Sequence, residues 1–372
     1  MRILFSGTPA YGHLLPMVPL EKAARQAGHE TAFLTHESMA GVVAPVPVLS
    51  AGPTVDDVLA EVTRRTGADA STDMTPATRA EFFGRARFDL GAEEALAAAA
   101  EFGPDLIIAE TADYLGRLAA AALGVPWVSH EVGIALDDAL AQAMDAAAAD
   151  RFAARGITPS QRLASIDPWL DCLQRDDWNP PADRIAIRPE PHSTDNDNSW
   201  SAPQFPDREH RPRVLVTLGT FLEDPEALAA MVKSLEPHHV SAVVAVSPSA
   251  DADSLHVDRS WVRPVGFVPM QQLLAGIDAV VSAGGAGTVL AALRTAVPMV
   301  LLPMGLDKPL NAERAAAVGT AVVVQRPEEI GVAVANVLND PSFTIAAAAI
   351  ARQMKELHSP DDVLRLVLQR MP

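Results

Sequence analysis

Short apolar runs alternate with helix-like stretches along most of this chain, and such alternation builds a parallel β-sheet covered by helices on both faces. The pattern starts immediately. Ile3 to Phe5 is a short apolar strand, residues 7–13 form a loop, and Leu14 to Ala27 has helical spacing. Pro16 and Pro19 fall in the first turns of that helix, where a missing N–H costs little. Gly28 stands as a stop just past the helix, and Thr31 to Thr35 resumes a strand. Beyond it, Ala92 to Phe102 is an Ala/Glu helix ended by Gly103-Pro104. Asp105 to Glu110 follows as a buried-type strand, Leu115 to Leu123 as a helix, and Pro126 to Glu131 as another strand.

The middle breaks this rhythm. From Pro180 to Pro212 there are seven prolines among Asp, Asn and Ser, including "STDNDNSW" (Ser193 to Trp200), the composition of a linker or mobile loop. The pattern then restarts. Strands are expected at 213–219, 240–246, 261–265, 279–282, 299–302 and 321–324, with helices at 225–235, 271–276, 288–294 and 311–317. Ser359 is placed as the N-cap of a last helix, with Pro360 at its first position. A chain of 372 residues, 49% of them hydrophobic, exceeds what one core holds and suffices for two. The expected division is an N-terminal domain over 1–195, a Pro-rich linker over 196–212, a C-terminal domain over 213–358, and a helix over 359–372 packing back on the first domain. The two halves are alike in pattern, without a detectable sequence repeat.

Charge and cysteine count narrow the function. A formal charge of −18 argues against nucleic acid or an anionic membrane surface as partner. Any bound phosphate must be held by local donors. The single cysteine, Cys172, leaves no disulfide framework and no Cys-based metal site, and no His/Cys/Asp/Glu set has metal-ligand spacing. "MRILFSG" runs straight into a strand, with no signal peptide, and the apolar runs are Ala-rich and interrupted by charge. A soluble cytoplasmic protein is the expectation.

Candidate chemistry collects where strands end. "VVSAGGAGTV" (Val280 to Val289) is a strand breaking into Gly284, Gly285 and Gly287 before a helix. Bare N–H groups at a helix start suit an anion, and glycines permit close approach. The loop lacks the Gly-Lys-Ser/Thr end of a Walker A loop and the third glycine of a dinucleotide fingerprint. A plain tight turn is the competing account. "TLGT" (Thr217 to Thr220) is a second such turn. "MGLDKPLNAER" (Met304 to Arg314) places Asp307 and Lys308 in a loop before a helix, where the acid either accepts from sugar hydroxyls or is a surface residue. His13 stands at the helix N-terminus, which disfavours imidazolium and suits a general base; a capping or partly buried histidine is the alternative. Glu110 ends its strand at the same edge. If the two strands are neighbours, its carboxylate accepts from His13 Nδ1–H and sets the tautomer. Asp113 competes for that role, and His130 with Glu131 ends the next strand.

"YGHLLPMVPL", "GVPWV", "RVLVTLGT", "VRPVGFVPMQQLL", "DAVVSAGGAGTVLAALRTAVPMVLLP" and "DKPLNAER", in this order, resemble the actinobacterial natural-product glycosyltransferases of the GT-B fold, in glycosyltransferase family 1. The resemblance runs from the first strand to the final helix and is strongest over Arg213 to Arg314. It implies two Rossmann-like domains whose parallel sheets face across a cleft. The C-terminal domain would bind a nucleoside diphosphate sugar, with a dTDP- or UDP-(deoxy)sugar as donor. The N-terminal domain would bind a hydrophobic acceptor such as a polyketide-type antibiotic. Phe267 and Val268 would flank the base, and Gly219 and Thr220 would lie near the nucleotide. Residues Ala283, Gly284, Gly285, Ala286, Gly287 and Thr288 would form the diphosphate loop, and Asp307 and Lys308 would face the sugar. His13 would deprotonate an acceptor hydroxyl for a single inverting displacement, with Glu110 as its acid, and Tyr11, Asp113 and His130 would line the acceptor side. No cofactor or metal is implied, and a homodimer stays open.

Two departures stand out. The family usually carries a histidine just before the paired glycines, where this chain has Ala283. Hydrogen bonds to charged groups are worth about 1.5–3 kcal/mol, so its loss should weaken the donor site. The sugar-loop acid is commonly followed by glutamine, here Lys308, which would bond a sugar hydroxyl, supply missing charge or point to solvent. Two other readings accompany the transferase: a non-catalytic nucleotide-sugar binder or auxiliary subunit, favoured by Ala283, and a sugar-nucleotide epimerase of the same fold.

Overall fold

A computed structural model describes residues 1–73, 75–191, 200–220 and 224–372; of the "STDNDNSW" stretch only Trp200 lies within them. The chain forms two compact units. The first comprises Met1–Pro168, Asp177–Arg188 and His358–Pro372, and the second Trp169–Asp176 and Pro189–Leu357.

The first unit holds a parallel sheet of β1 (Arg2–Ser6), β2 (Glu30–Thr35), β3 (Val48–Ser50), β4 (Leu106–Glu110), β5 (Trp127–His130), β6 (Ser165–Asp167) and β7 (Arg184–Ala186). Their order is β3-β2-β1-β4-β5-β6-β7. Strand side chains alternate between two cores. Leu4, Leu34, Ile107 and Ala109 face one, while Ile3, Phe5, Phe33, Leu106 and Ile108 face the other. Both faces are therefore apolar, as a doubly covered parallel sheet requires. Strand β7 lies inside the stretch whose prolines suggested a linker, because Ile185 pairs with Ile166 and is buried.

The first connection departs from expectation at its start. The helix begins at Tyr11, runs to Leu14, tightens into a 3₁₀ turn over Leu15–Met17, and continues over Val18–Gln26. Pro16 and Pro19 lack the N–H that an unbroken α-helix would use, and the tighter turn absorbs them. His13 consequently sits within the first helical turn, not ahead of it. A second helix, Arg87–Phe102, is preceded by a π-helical segment, Glu81–Ala86. Helix Pro360–Gln369 begins with a capping box in which Ser359 and Asp362 satisfy each other's amides, and it packs Val363, Leu364 and Val367 with Leu20 and Ala24 of the helix Val18–Gln26.

The second unit holds β8 (Arg213–Thr217), β9 (Ser241–Ala245), β10 (Val262–Val265), β11 (Ala279–Ser282), β12 (Met299–Leu301) and β13 (Ala321–Val323), parallel, in the order β10-β9-β8-β11-β12-β13. In each unit the strand order reverses once, at β1/β4 and at β8/β11. Connections leave such a pair toward opposite faces, so a crevice opens at the carboxyl ends.

Close packing around β1 and β4 depends on Gly116 in the helix Tyr114–Leu123, where a Cβ would lie 2.7 Å from Ser6 Cβ and 3.0 Å from Ala109 Cβ. Gly116→Val should cost about 1–3 kcal/mol through overpacking, seen as a lower urea midpoint. Gly12→Ala, whose Cβ meets nothing within 4 Å, should leave the midpoint in place.

Candidate active site

At the β1/β4 reversal, Ser6 pairs with Ala109, so the residues that follow each strand emerge side by side. Glu110 is fully buried there, and His13 Nδ1 lies 2.9 Å from its Oε1. The carboxylate also accepts from Thr8 Oγ1 at 2.8 Å and from the Ala112 amide at 2.7 Å. Burial pushes the Glu110 pKa up. The positive charge and hydrogen bond of His13, with the bonds from Ala112 and Thr8, outweigh this and hold it at about 2. A carboxylate only accepts, so it keeps a proton on His13 Nδ1 and leaves Nε2 as the basic nitrogen. The imidazole keeps 24% of its side-chain surface exposed. Its ring centroid is 5.8 Å from that of Phe83, on the π-helical segment. The helix-terminus effect expected at His13 is thus opposed by a buried anion at contact distance.

Asp113 is not the partner of His13. It caps the helix Tyr114–Leu123 through the Gly116 amide, accepts from Ser6 Oγ, and pairs with Arg87 at 2.9 Å. Arg87, itself buried, donates to the Gly7 carbonyl at 3.0 Å and so braces the turn after β1. His130 is buried, with Nδ1 3.0 Å from the Glu131 carbonyl. Desolvation takes its pKa down to about 4 against the opposing pull of Glu131 and Glu110, so it is a neutral imidazole at pH 7. Tyr11 is half-buried beside the same turn, and burial raises its phenol. Glu131 accepts from Ser129 Oγ at 3.1 Å, Ser165 Oγ at 2.7 Å and Thr111 Oγ1.

The second unit repeats one turn at its own reversal. Thr217 and Ser282 are paired across β8 and β11. The Thr217 hydroxyl accepts from the Gly219 amide and the Ser282 hydroxyl from the Gly284 amide, both at 3.1 Å. Gly219 and Gly284 both adopt positive φ, 87° and 85°, which a side chain would oppose. These two amides are engaged within their own turns. The helix Ala286–Arg294 begins at Gly285 with no side-chain cap, so the N–H groups of Ala286, Gly287 and Thr288 form its open positive end. Thr220 is exposed at the tip of the first turn. Ala283 is buried among Val281, Val216 and Val300, so its side chain belongs to the apolar core and only its backbone can serve an anion. Phe267, 44% exposed, and Val268 follow β10, which β9 separates from β8.

After β12, the chain turns through Gly305 and Leu306, both at positive φ, to Asp307 and the helix Lys308–Ala317. Asp307 is exposed. Lys308 is buried and its ammonium donates to the Met304 carbonyl at 3.2 Å. It folds onto its own loop and does not point to solvent; burial lowers its pKa, against the charge of Asp307. Residues absent from the sequence-based set are Thr8, Arg87, Phe83 and Asn311. Only Asn311, one helical turn beyond Asp307, carried a readable spacing signal. Among the described residues no group of three or more His, Cys, Asp or Glu is placed to hold a metal ion, and no helix is long and apolar enough to cross a membrane.

An acid–base pair at one strand reversal and an uncapped, positive helix end at the other are equipment suited to an α/β group-transfer enzyme. The family described as Erythromycin biosynthesis protein CIII-like, C-terminal domain, matches residues 233–369. An L-demethylnoviosyl transferase of Streptomyces niveus is 32% identical over 87% of this chain and 84% of its own length. Elloramycin glycosyltransferase of Streptomyces olivaceus is 28% identical over 98% of this chain and 96% of its own. The crystal structure of the Streptomyces sp. SF2575 glycosyltransferase SsfS6, complexed with thymidine diphosphate, superposes with a TM-score of 0.82 at 29% identity, covering 99% of both chains. The chain belongs to the actinobacterial natural-product glycosyltransferases of the GT-B fold, and is a nucleotide-sugar-dependent glycosyltransferase.

The Glu110 geometry sets an acid limit on stability. Its carboxyl titrates near 2 when folded, against an ordinary 4.5. The unfolded chain therefore binds the extra proton, and stability falls as pH drops from about 4.5 toward 2, by on the order of 3 kcal/mol. Acid unfolding of Glu110→Gln should lack this segment of the slope. A wild-type profile that stays flat below pH 4.5 would contradict the pairing.

Proposed function

We propose that this enzyme transfers a sugar, with inversion, from a dTDP- or UDP-linked (deoxy)sugar to a hydroxyl of a hydrophobic natural product, with His13 as general base. One observation carries the reading: the contact of His13 Nδ1 with the buried, ionised Glu110 at 2.9 Å. His13 Nε2 takes the proton of the acceptor hydroxyl as its oxygen bonds to the anomeric carbon. The anomeric carbon–oxygen bond to the diphosphate breaks, and its electron pair leaves with the phosphate. Glu110 balances the imidazolium that forms and stays ionised throughout.

The leaving diphosphate gains charge, and the amides of Ala286, Gly287 and Thr288 stand ready for it. Ala283 contributes no side-chain donor, so backbone N–H groups carry the task. Asp307 accepts from a sugar hydroxyl, while Lys308 stabilises its loop through Met304. Phe267 and Val268 hold the base, and thymidine diphosphate in SsfS6 supports a thymidine nucleotide as the first donor to test. On the acceptor side, half-buried Tyr11 and Phe83 offer largely apolar surface, suited to a hydrophobic aglycone, while buried His130 lies behind it and presents no surface of its own.

Calorimetry with dTDP, UDP and their sugar conjugates, followed by mass detection of glycosides, tests this directly. His13→Ala should lower kcat by about 10²–10⁴-fold while nucleotide affinity is kept. Unchanged turnover in that variant would remove His13 as the base. A chain that binds nucleotide sugar but forms no glycoside or hydrolysed sugar would favour the auxiliary-subunit reading that Ala283 invites.

A further inference from the structure

We infer that Asn311 is a positioning residue that locks the sugar-contacting acid Asp307 to the diphosphate loop, so that donor sugar and diphosphate are held in one frame. The inference rests on the reading of Asp307 as a donor-sugar ligand. Asn311 is completely buried, and its Nδ2 donates both to the Gly284 carbonyl at 3.0 Å and to Asp307 Oδ2 at 2.8 Å. Both partners are pure acceptors, so the amide nitrogen has to be the atom that faces them. Among the described residues, no donor reaches the buried Asn311 Oδ1, which carries a desolvation cost for this placement.

Three further observations tie this amide to placement. Asp307 occupies the N-cap of the helix Lys308–Ala317, yet its carboxylate caps none of that helix's amides. It forgoes the usual bond of an N-cap aspartate and is drawn toward Asn311 instead. Leu306, just before it, is held in the left-handed region at φ 57°, which a branched side chain resists, so the turn needs an external tie. Finally, a Cβ on Gly284 would stand 3.2 Å from the Lys308 carbonyl, so the glycine loop and the helix start are in contact. One buried amide thus spans the two loops, and it engages only the Oδ2 atom of the exposed Asp307 carboxylate.

The test separates sugar recognition from nucleotide recognition. Affinities for dTDP, UDP and their glucose conjugates are measured on wild type, Asn311→Leu, Asp307→Ala and the double variant. Asn311→Ser, polar but too short to span both acceptors, replaces the leucine variant if that one does not fold. The expected result is that the sugar-dependent gain in affinity falls about tenfold in the Asn311 variant, with the nucleoside diphosphate bound as before. The double variant should lose no more than Asp307→Ala, since both act through one carboxylate. Equal weakening of nucleotide and nucleotide sugar, or an undiminished sugar gain, overturns the inference. Wild type that binds no nucleotide at all overturns the glycosyltransferase site assignment itself, a distinguishable failure.

Discussion

In a parallel sheet whose strand order reverses, connections on the two sides of the reversal depart to opposite faces and leave the strand ends between them uncovered. This chain does so once in each unit, at β1/β4 and at β8/β11. The acid–base pair and the two glycine turns follow from that topology. Glu110 and His13 emerge at the first reversal, and the Gly219 and Gly284 turns emerge at the second. The loop with Asp307 belongs to β12, the neighbour of β11. Backbone geometry therefore sets the places, and side chains only fill them.

Burial then assigns the charges. A carboxylate with no exposed surface survives only if partners replace its water, and Glu110 has four donors: His13 Nδ1, the Thr8 amide and hydroxyl, and the Ala112 amide. Arg87 and Asp113 solve the same problem beside it and thereby brace Gly7, which starts the loop leading to His13. In the second unit the equivalent economy uses neutral groups. Hydroxyls of Thr217 and Ser282 shape two turns, and an uncapped helix end supplies positive potential without any basic side chain. A chain with net charge −18 can still offer an anion a favourable field this way, because that field is local.

Much of the frame was legible. The apolar runs of β1, β4, β8 and β11 and the stops at Gly28 and Gly103 depend on local chemistry, and the structure has them where the pattern puts them. Less was legible where elements are short or their cause is distant. Strands β3, β6 and β7 have three residues each, too few to display a period, and their pairing comes from neighbours. The region between about 50 and 90 showed no chemistry, yet its π-helical segment brings Phe83 to His13. Burial of Gly84 against Ala147 and Met144, far along the chain, fixes that segment.

By itself the sequence determined the two α/β halves, the glycine-rich turn and the residue types at each strand end, since these follow from periodicity, backbone freedom and hydrogen-bonding capacity. Only the tertiary structure decided which acid serves His13. Glu110 and Asp113 are three residues apart and chemically alike, but Arg87 and Ser6 claim Asp113 and leave Glu110 at contact with the imidazole. The same holds for Ala283, Lys308 and Asn311: whether a side chain enters a core, folds on its own loop or bridges two loops depends on neighbours brought in by folding. Long-range packing supplies that information, and no local pattern encodes it.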